Sequence, residues 1–357
     1  MDNKLVIQNT SYSGEQTKKT IRNTSPYLIT TLLCGLMLIW GGSFGAIKIG
    51  LQKLDPMELV AARFIPSALL LLMVHLLFPN LLSSSQYSSP DYDSPQRSSK
   101  KRTTFFHLWR AFSFKEKILF LASSFFAVPG YHICLNTGET VIPSGWASLV
   151  ISLNPTCITL LSALILKERV GTNRWVGLSI ALGGLWVMIL GNQRMDSGLN
   201  SVGLKNLIAG VVITLGAVLS WGLYTVLSRF LMGVIDSFSL LTWVIVCGTI
   251  WTLPWAGKEL WLKIIEGSAP IWGAVAYLSV GCTVIGFIIW FWAIEKWEVS
   301  KVSLFIYLVP LTALLLGYFL FGEPLSSPTL LGALAILAGI ILGSISSPTK
   351  HLTNAQQ

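Results

Sequence analysis

The strongest candidate for chemistry in this sequence is a single charge, Arg63, seven residues into an apolar run that begins at Met57. A charge inside a bilayer costs about 2.5 kcal/mol or more, so it needs a partner, a water-filled cavity or a route to the interface. Asp55 and Glu58 lie within two helical turns and offer structural pairing. A lipid phosphate or a substrate carboxylate would suit the same guanidinium. Other chemical signatures fail. Gly41, Gly42, Ser43, Phe44 and Gly45 spell the G-x-S-x-G of hydrolases, but inside an apolar helical run, not on the strand-to-helix turn that chemistry requires. There is no Walker-type phosphate loop and no H-E-x-x-H pattern. Cys34, Cys134, Cys157, Cys247 and Cys282 are scattered without a CxxC pair, so they read as small packing residues, neither disulfides nor metal ligands. His75 and His132 fall near the ends of runs, and no Asp or Glu lies deep within one, so no proton-coupling carboxylate is visible. What remains is recognition: Arg63 with the aromatics Trp40, Tyr131, Trp221, Tyr224, Trp290 and Tyr307.

The elements that must position these residues are apolar helices. Of 357 residues, 53% are hydrophobic and only 11% charged, with a mean hydropathy of +0.66; a soluble domain carries about twice that charge. Ten apolar runs stand out, at 27–49, 57–78, 118–135, 142–166, 175–190, 207–227, 238–255, 271–294, 302–321 and 329–345. Most approach the ~20 residues that cross a bilayer. Lipid demands internally satisfied backbone, and no strand-like alternation is present, so the expected class is an all-α polytopic membrane protein.

The stretch 147–184 returns as 302–339. A shift of 155 pairs Pro155 with Pro310, Glu168 with Glu323, Gly177 with Gly332 and Gly184 with Gly339. Earlier, a shift of 181 pairs Leu38 with Leu219, Trp40 with Trp221, Gly41 with Gly222, Asp55 with Asp236 and Leu59 with Leu240. The difference of 26 residues implies an insertion in the first half, assigned to the polar, then basic segment 79–114, which is expected to be a disordered cytoplasmic loop. Five spans per half is an odd number, so the halves form inverted repeats. The resulting organisation is a tail at 1–26, a first repeat at 27–191, a linker at 192–205, a second repeat at 206–346 and a tail at 347–357. The polar start reads as a tail, not a signal peptide. With ten spans, eighteen Lys and Arg fall on the amino-terminal side and six opposite, which puts both termini in the cytoplasm. The net charge of +9 then reflects topology and anionic lipid, not a nucleic-acid surface.

Each repeated proline removes an N–H and frees the carbonyl four residues back, at Ile151 and Ile306, which loosens the helix for binding or bending or merely kinks it. Glu168 and Glu323 end one helix just before another begins, where a carboxylate accepts free N–H groups; a turn clamp is favoured over proton carriage. Thr172 or Asn173, and Ser326 or Ser327, supply N-caps there. Gly177, Gly184, Gly332 and Gly339 suit close helix packing.

Trp40, Gly41, Gly42, Ser43, Phe44, Ala46 and Lys48, then Pro56, Ala61, Arg63 and Phe64, resemble the opening of an EamA-type transporter of the drug/metabolite transporter superfamily. The twice-repeated Pro, Glu and Gly pattern is similar to the later part of each such module, and the resemblance covers about residues 27–345. It implies ten helices, helices one to four and six to nine around a central cavity, and export or exchange of small metabolites across the inner (plasma) membrane without a cofactor. The cavity candidates are Trp40, Arg63, Tyr131, Asn154, Pro155, Trp221, Tyr224, Trp290, Tyr307 and Pro310. The long loop at 79–114 and Arg169 after Glu168 depart from the usual pattern. A channel or a membrane-bound sensor would use the same spans.

Overall fold

The computed structural model describes residues 26–77, 109–110, 112–166, 172–194, 203–231, 235, 237–297, 302 and 304–344. Among them the regular structure is entirely helical. The elements are α1 (Pro26–Gly50), α2 (Pro56–Leu77), α3 (Phe114–Glu139), α4 (Ser144–Ile151), α5 (Asn154–Leu166), α6 (Thr172–Arg194), α7 (Leu204–Arg229), α8 (Ser237–Ile250), α9 (Lys258–Ile265), α10 (Ala269–Ala276, Tyr277–Ile285 and Gly286–Lys296 in succession), α11 (Leu308–Phe321) and α12 (Ser327–Ser344). Six helices are long and apolar enough to cross a membrane, counting α4 and α5 as one, and four shorter apolar helices accompany them. Exposed Leu38, Leu69, Leu164, Phe319, Leu320 and Leu334 leave the outside of the bundle greasy, as lipid contact requires. Exposed Trp251, Trp255, Trp261 and Trp272 cluster around the short amphipathic α9, a belt suited to a membrane interface.

Most of the 79–114 segment, the linker and both tails lie outside the described residues, as does Glu168. Where description resumes, Ser113 and Glu116 form a reciprocal capping box that starts α3. The two expected mid-helix prolines lie in the first turns of α segments. The 142–166 run breaks at Ser152 and Leu153, and Pro155 is the second residue of α5, where its missing N–H costs nothing. Pro310 is the third residue of α11, behind a tight turn at Leu304–Tyr307. The first run thus breaks ahead of its proline, a stronger response than the kink expected from sequence, while the second passes from 3-10 to α winding just before Pro310 and continues as one helix.

Two helices change register without breaking. In α3 the segment Phe126–Gly130, and in α10 the segment Tyr277–Ile285, are wound as π-helix. Such wide turns misalign the backbone ladder and expose polar atoms to neighbours. The most extensive helix contact joins α6 to α12, with the four duplicated glycines at the crossing. A methyl at Gly184 would lie 2.7 Å from the Gly332 carbonyl, and one at Gly332 would lie 2.6 Å from the Gly184 carbonyl.

Candidate functional site

The interior site begins at the π segment of α10. The Gly286 N–H turns to Gly281 and Thr283, so the Cys282 carbonyl is released from its ordinary partner and accepts Trp40 Nε1 at 3.0 Å. One residue on, the Thr283 hydroxyl donates to Leu278 at 2.9 Å and accepts Arg63 Nε at 3.1 Å. Ser67, fully buried, donates to the Ser279 carbonyl at 3.1 Å and so holds α2 against the same segment. The π winding therefore supplies the polar atoms that seat both Trp40 and Arg63.

Arg63 does not pair with Asp55 or Glu58, which corrects the structural-pairing expectation. Lys263 on α9 takes both, at 3.2 Å and 2.7 Å, and Glu58 also accepts the Asp55 N–H at 2.9 Å. The Glu58 hydrogen bond, then that of Asp55, holds the Lys263 ammonium above its ordinary range. With its acids occupied, Arg63 lies over the Phe64 ring at 5.1 Å, and its two terminal nitrogens have no acceptor among the described residues. Arg63 is only partly buried and so keeps some accessible surface.

Two groups of aromatic rings accompany it. Trp40 stacks on Trp290 at 5.4 Å and meets Phe287 at 6.3 Å. Tyr131 packs on Trp221 at 5.2 Å, and Trp221 on Tyr224 at 5.2 Å. Tyr131 directly follows the π segment of α3, and its charge environment includes Arg63. Tyr131 and Tyr224 are both partly buried. Five aromatic candidates thus form two groups, one joined to the Arg63 partner Thr283 through its neighbour Cys282 and the other reaching Arg63 electrostatically through Tyr131. Asn154, Pro155, Tyr307 and Pro310 stand at the starts of α5 and α11; the Asn154 carbonyl oxygen is buried there without a partner among the described residues.

A cleft of about 750 Å³ opens between the start of α2, α3 and the turn from α8 to α9. Its lining includes Asp55 and Glu58, both already engaged by Lys263.

A second polar cluster closes one end of the bundle. Glu323 accepts Lys48 Nζ at 2.6 Å, Ser144 N–H at 2.8 Å, Ser144 Oγ at 2.9 Å and Gly145 N–H at 3.2 Å. The clamp foreseen for Glu323 thus reaches across the bundle to the N-terminus of α4, not to the helix that follows it. Pro143 gives α4 no side-chain cap, so the carboxylate fills that vacancy, while Ser326 caps α12 by accepting the Thr329 N–H at 3.3 Å. Left-handed Gly322, φ 63°, ends α11 and turns Glu323 back over Gly317, where any Cβ would collide with the carboxylate. Burial alone would raise the Glu323 carboxyl, but Lys48 and the two N–H donors outweigh it and hold it below the ordinary value. Sequence reasoning missed Lys48 and Ser144 as partners; opposite charges at the ends of two runs were the available signal.

The membrane-length apolar helices define a multi-pass membrane protein. The chain belongs to the EamA-like transporter family, whose profile matches residues 27–190 and 208–345. An "Uncharacterized transporter" of Archaeoglobus fulgidus is 27% identical over 85% of this chain and 94% of its own. "Uncharacterized transporter YoaV" of Bacillus subtilis is 23% identical over 88% and 96%. A "Probable terminal-alkyne amino-acid exporter" of Streptantibioticus cattleyicolor is 27% identical over 59% of this chain and 68% of its own. A solved crystal structure shares the fold, with a TM-score of 0.53 at 17% identity over 88% of this chain and 97% of that one.

Proposed function

We propose that the protein is a carrier that exports or exchanges small amphipathic carboxylates, amino-acid-like compounds among them, across the plasma membrane by alternating access. Ten spans form two inverted five-helix repeats, the four shorter apolar helices crossing with help from flanking residues, and both termini are cytoplasmic. The duplicated Pro, Glu and Gly pattern and the Lys and Arg asymmetry support this arrangement. The observation that carries the substrate class is the Arg63 fork, fixed at Nε by Thr283 and with no other acceptor among the described residues, in a bundle that also holds the Trp40–Trp290 and Tyr131–Trp221 pairs. A carboxylate takes two parallel bonds from such a fork, and the rings accept the apolar remainder. The name of the Streptantibioticus relative is consistent with that chemistry.

Arg63→Lys keeps the charge and loses the planar fork. In proteoliposomes loaded with a panel of aromatic and aliphatic amino acids and their decarboxylated amines, it is expected to slow carboxylate flux about tenfold, equivalent to about 1.4 kcal/mol of recognition. The amines should change little. Equal losses for both series would remove Arg63 from substrate recognition. The orientation has its own test: an impermeant maleimide applied to intact cells is expected to label Lys258→Cys and to spare Ser98→Cys, and the reverse pattern would invert the topology.

A further inference from the structure

Glu139 is the last residue of α3, only 3% exposed, and neither carboxylate oxygen has a hydrogen-bond partner among the described residues. Sequence reading passes it over, because Gly138–Glu139–Thr140 falls between two apolar runs. The fold instead draws it inward: Gly138 packs so tightly on Thr214 of α7 that a Cβ there would overlap the hydroxyl, and Asn136 donates to the Pro56 carbonyl at 3.0 Å. A buried carboxylate without partners is far too costly to keep its charge; the neutral acid is the form such a site holds.

We infer that Glu139 is a proton-binding site, occupied while the Lys48 end of the bundle is closed and emptied when that end opens. The charged groups facing it support a coupled role. From α1 and the α11–α12 turn it senses Lys48 and Glu323, the two charges of the closing cluster. Along its own helix it is within electrostatic reach of Tyr131, beside Arg63. On α2, Glu58 is committed to Lys263 and Arg63 to Thr283, while α4 offers no titratable side chain and Lys205 of α7 is exposed at that helix's start. While Lys48 is bound to Glu323 it cannot neutralise Glu139, so Glu139 keeps its proton. Parting of α1 from the α11–α12 turn frees Lys48 and admits water; Glu139 then ionises, and its proton leaves to the water on that side. Proton release and opening become one event, and under the carrier reading this ties the transport cycle to the proton gradient.

The test is infrared difference spectroscopy on the full chain in lipid nanodiscs at neutral pH, following the carbonyl stretch of protonated carboxyl groups. Wild type is expected to show this band, Glu139→Gln to lack it, and Glu323→Ala, which unlocks the Lys48 end, to lose most of it. A wild-type spectrum without the band, or one unaltered by Glu139→Gln, overturns the site. A full band in Glu323→Ala overturns its coupling to closure. Should Glu139→Gln fail to fold, Glu139→Asp must shift the band in frequency, and an unshifted band is equally fatal. No substrate is needed, so Arg63-dependent flux without the band would leave the carrier standing while sinking the proton site.

Discussion

Glu323→Ala is expected to lower stability by about 3 kcal/mol, because removing one partner of a largely buried ion pair leaves the other uncompensated. The Glu323 side chain is 9% exposed and that of Lys48 32%, so water can soften the loss at Lys48 but not at the N–H groups of Ser144 and Gly145. Those donors begin a helix that has no other cap. Glu323→Gln keeps the shape and should recover part of the loss, since an amide oxygen still accepts one of these bonds but not an ammonium's full attraction. The effect also carries a pH signature. Lys48 and the backbone donors hold the folded Glu323 carboxyl below its ordinary value. Its contribution is therefore complete above the unfolded value of about 4.3 and disappears as pH falls through the folded value. Thermal unfolding midpoints of wild type and Glu323→Ala in detergent should differ widely at neutral pH and converge in acid. A gap that stays constant down to acid pH would show that the carboxylate charge contributes nothing.

The same cluster marks how far the sequence could be read. Spans, breaks and glycines depend on local pattern: apolar length, the missing proline N–H and the missing Cβ each act within a few residues. The family resemblance was legible for the same reason, since its motifs are local and occur twice. Partnerships were not. Nothing near Arg63 indicates that Asp55 and Glu58 will be taken by a lysine on α9, nor that Thr283 will be turned toward it by a π segment. Glu139 was invisible because its burial comes from α7, α2 and the Lys48 end meeting around a stretch that reads as a turn. Charged and polar side chains in this bundle find their partners through tertiary packing, and a single sequence records only that they exist.

The glycine crossing of α6 and α12 makes the second large prediction. Gly184→Ala is expected to cost about 1–3 kcal/mol, the range for forcing an extra methyl into a filled contact. The obstacle is backbone: the new Cβ would lie 2.7 Å from the Gly332 carbonyl, and no rotamer change can move that atom. Gly332→Ala meets the Gly184 carbonyl at 2.6 Å and the Met188 Cβ at 2.8 Å, so it should cost a similar amount. Either methyl must push the two helices apart, weakening the close backbone contacts that small residues permit. Once they are apart, the second methyl finds the space already made. The double variant should therefore lose less than the sum of the two single losses, the non-additivity expected of residues in contact. Gly183→Ala provides the control on the same helix, because nothing lies within 4 Å of its Cβ position. Alanine there should be neutral or slightly stabilising through helix propensity alone. Unfolding midpoints of the four variants, measured beside wild type in one detergent, decide the matter. Additive losses at Gly184 and Gly332, or an equal loss at Gly183, would mean that the crossing is not held by this reciprocal fit.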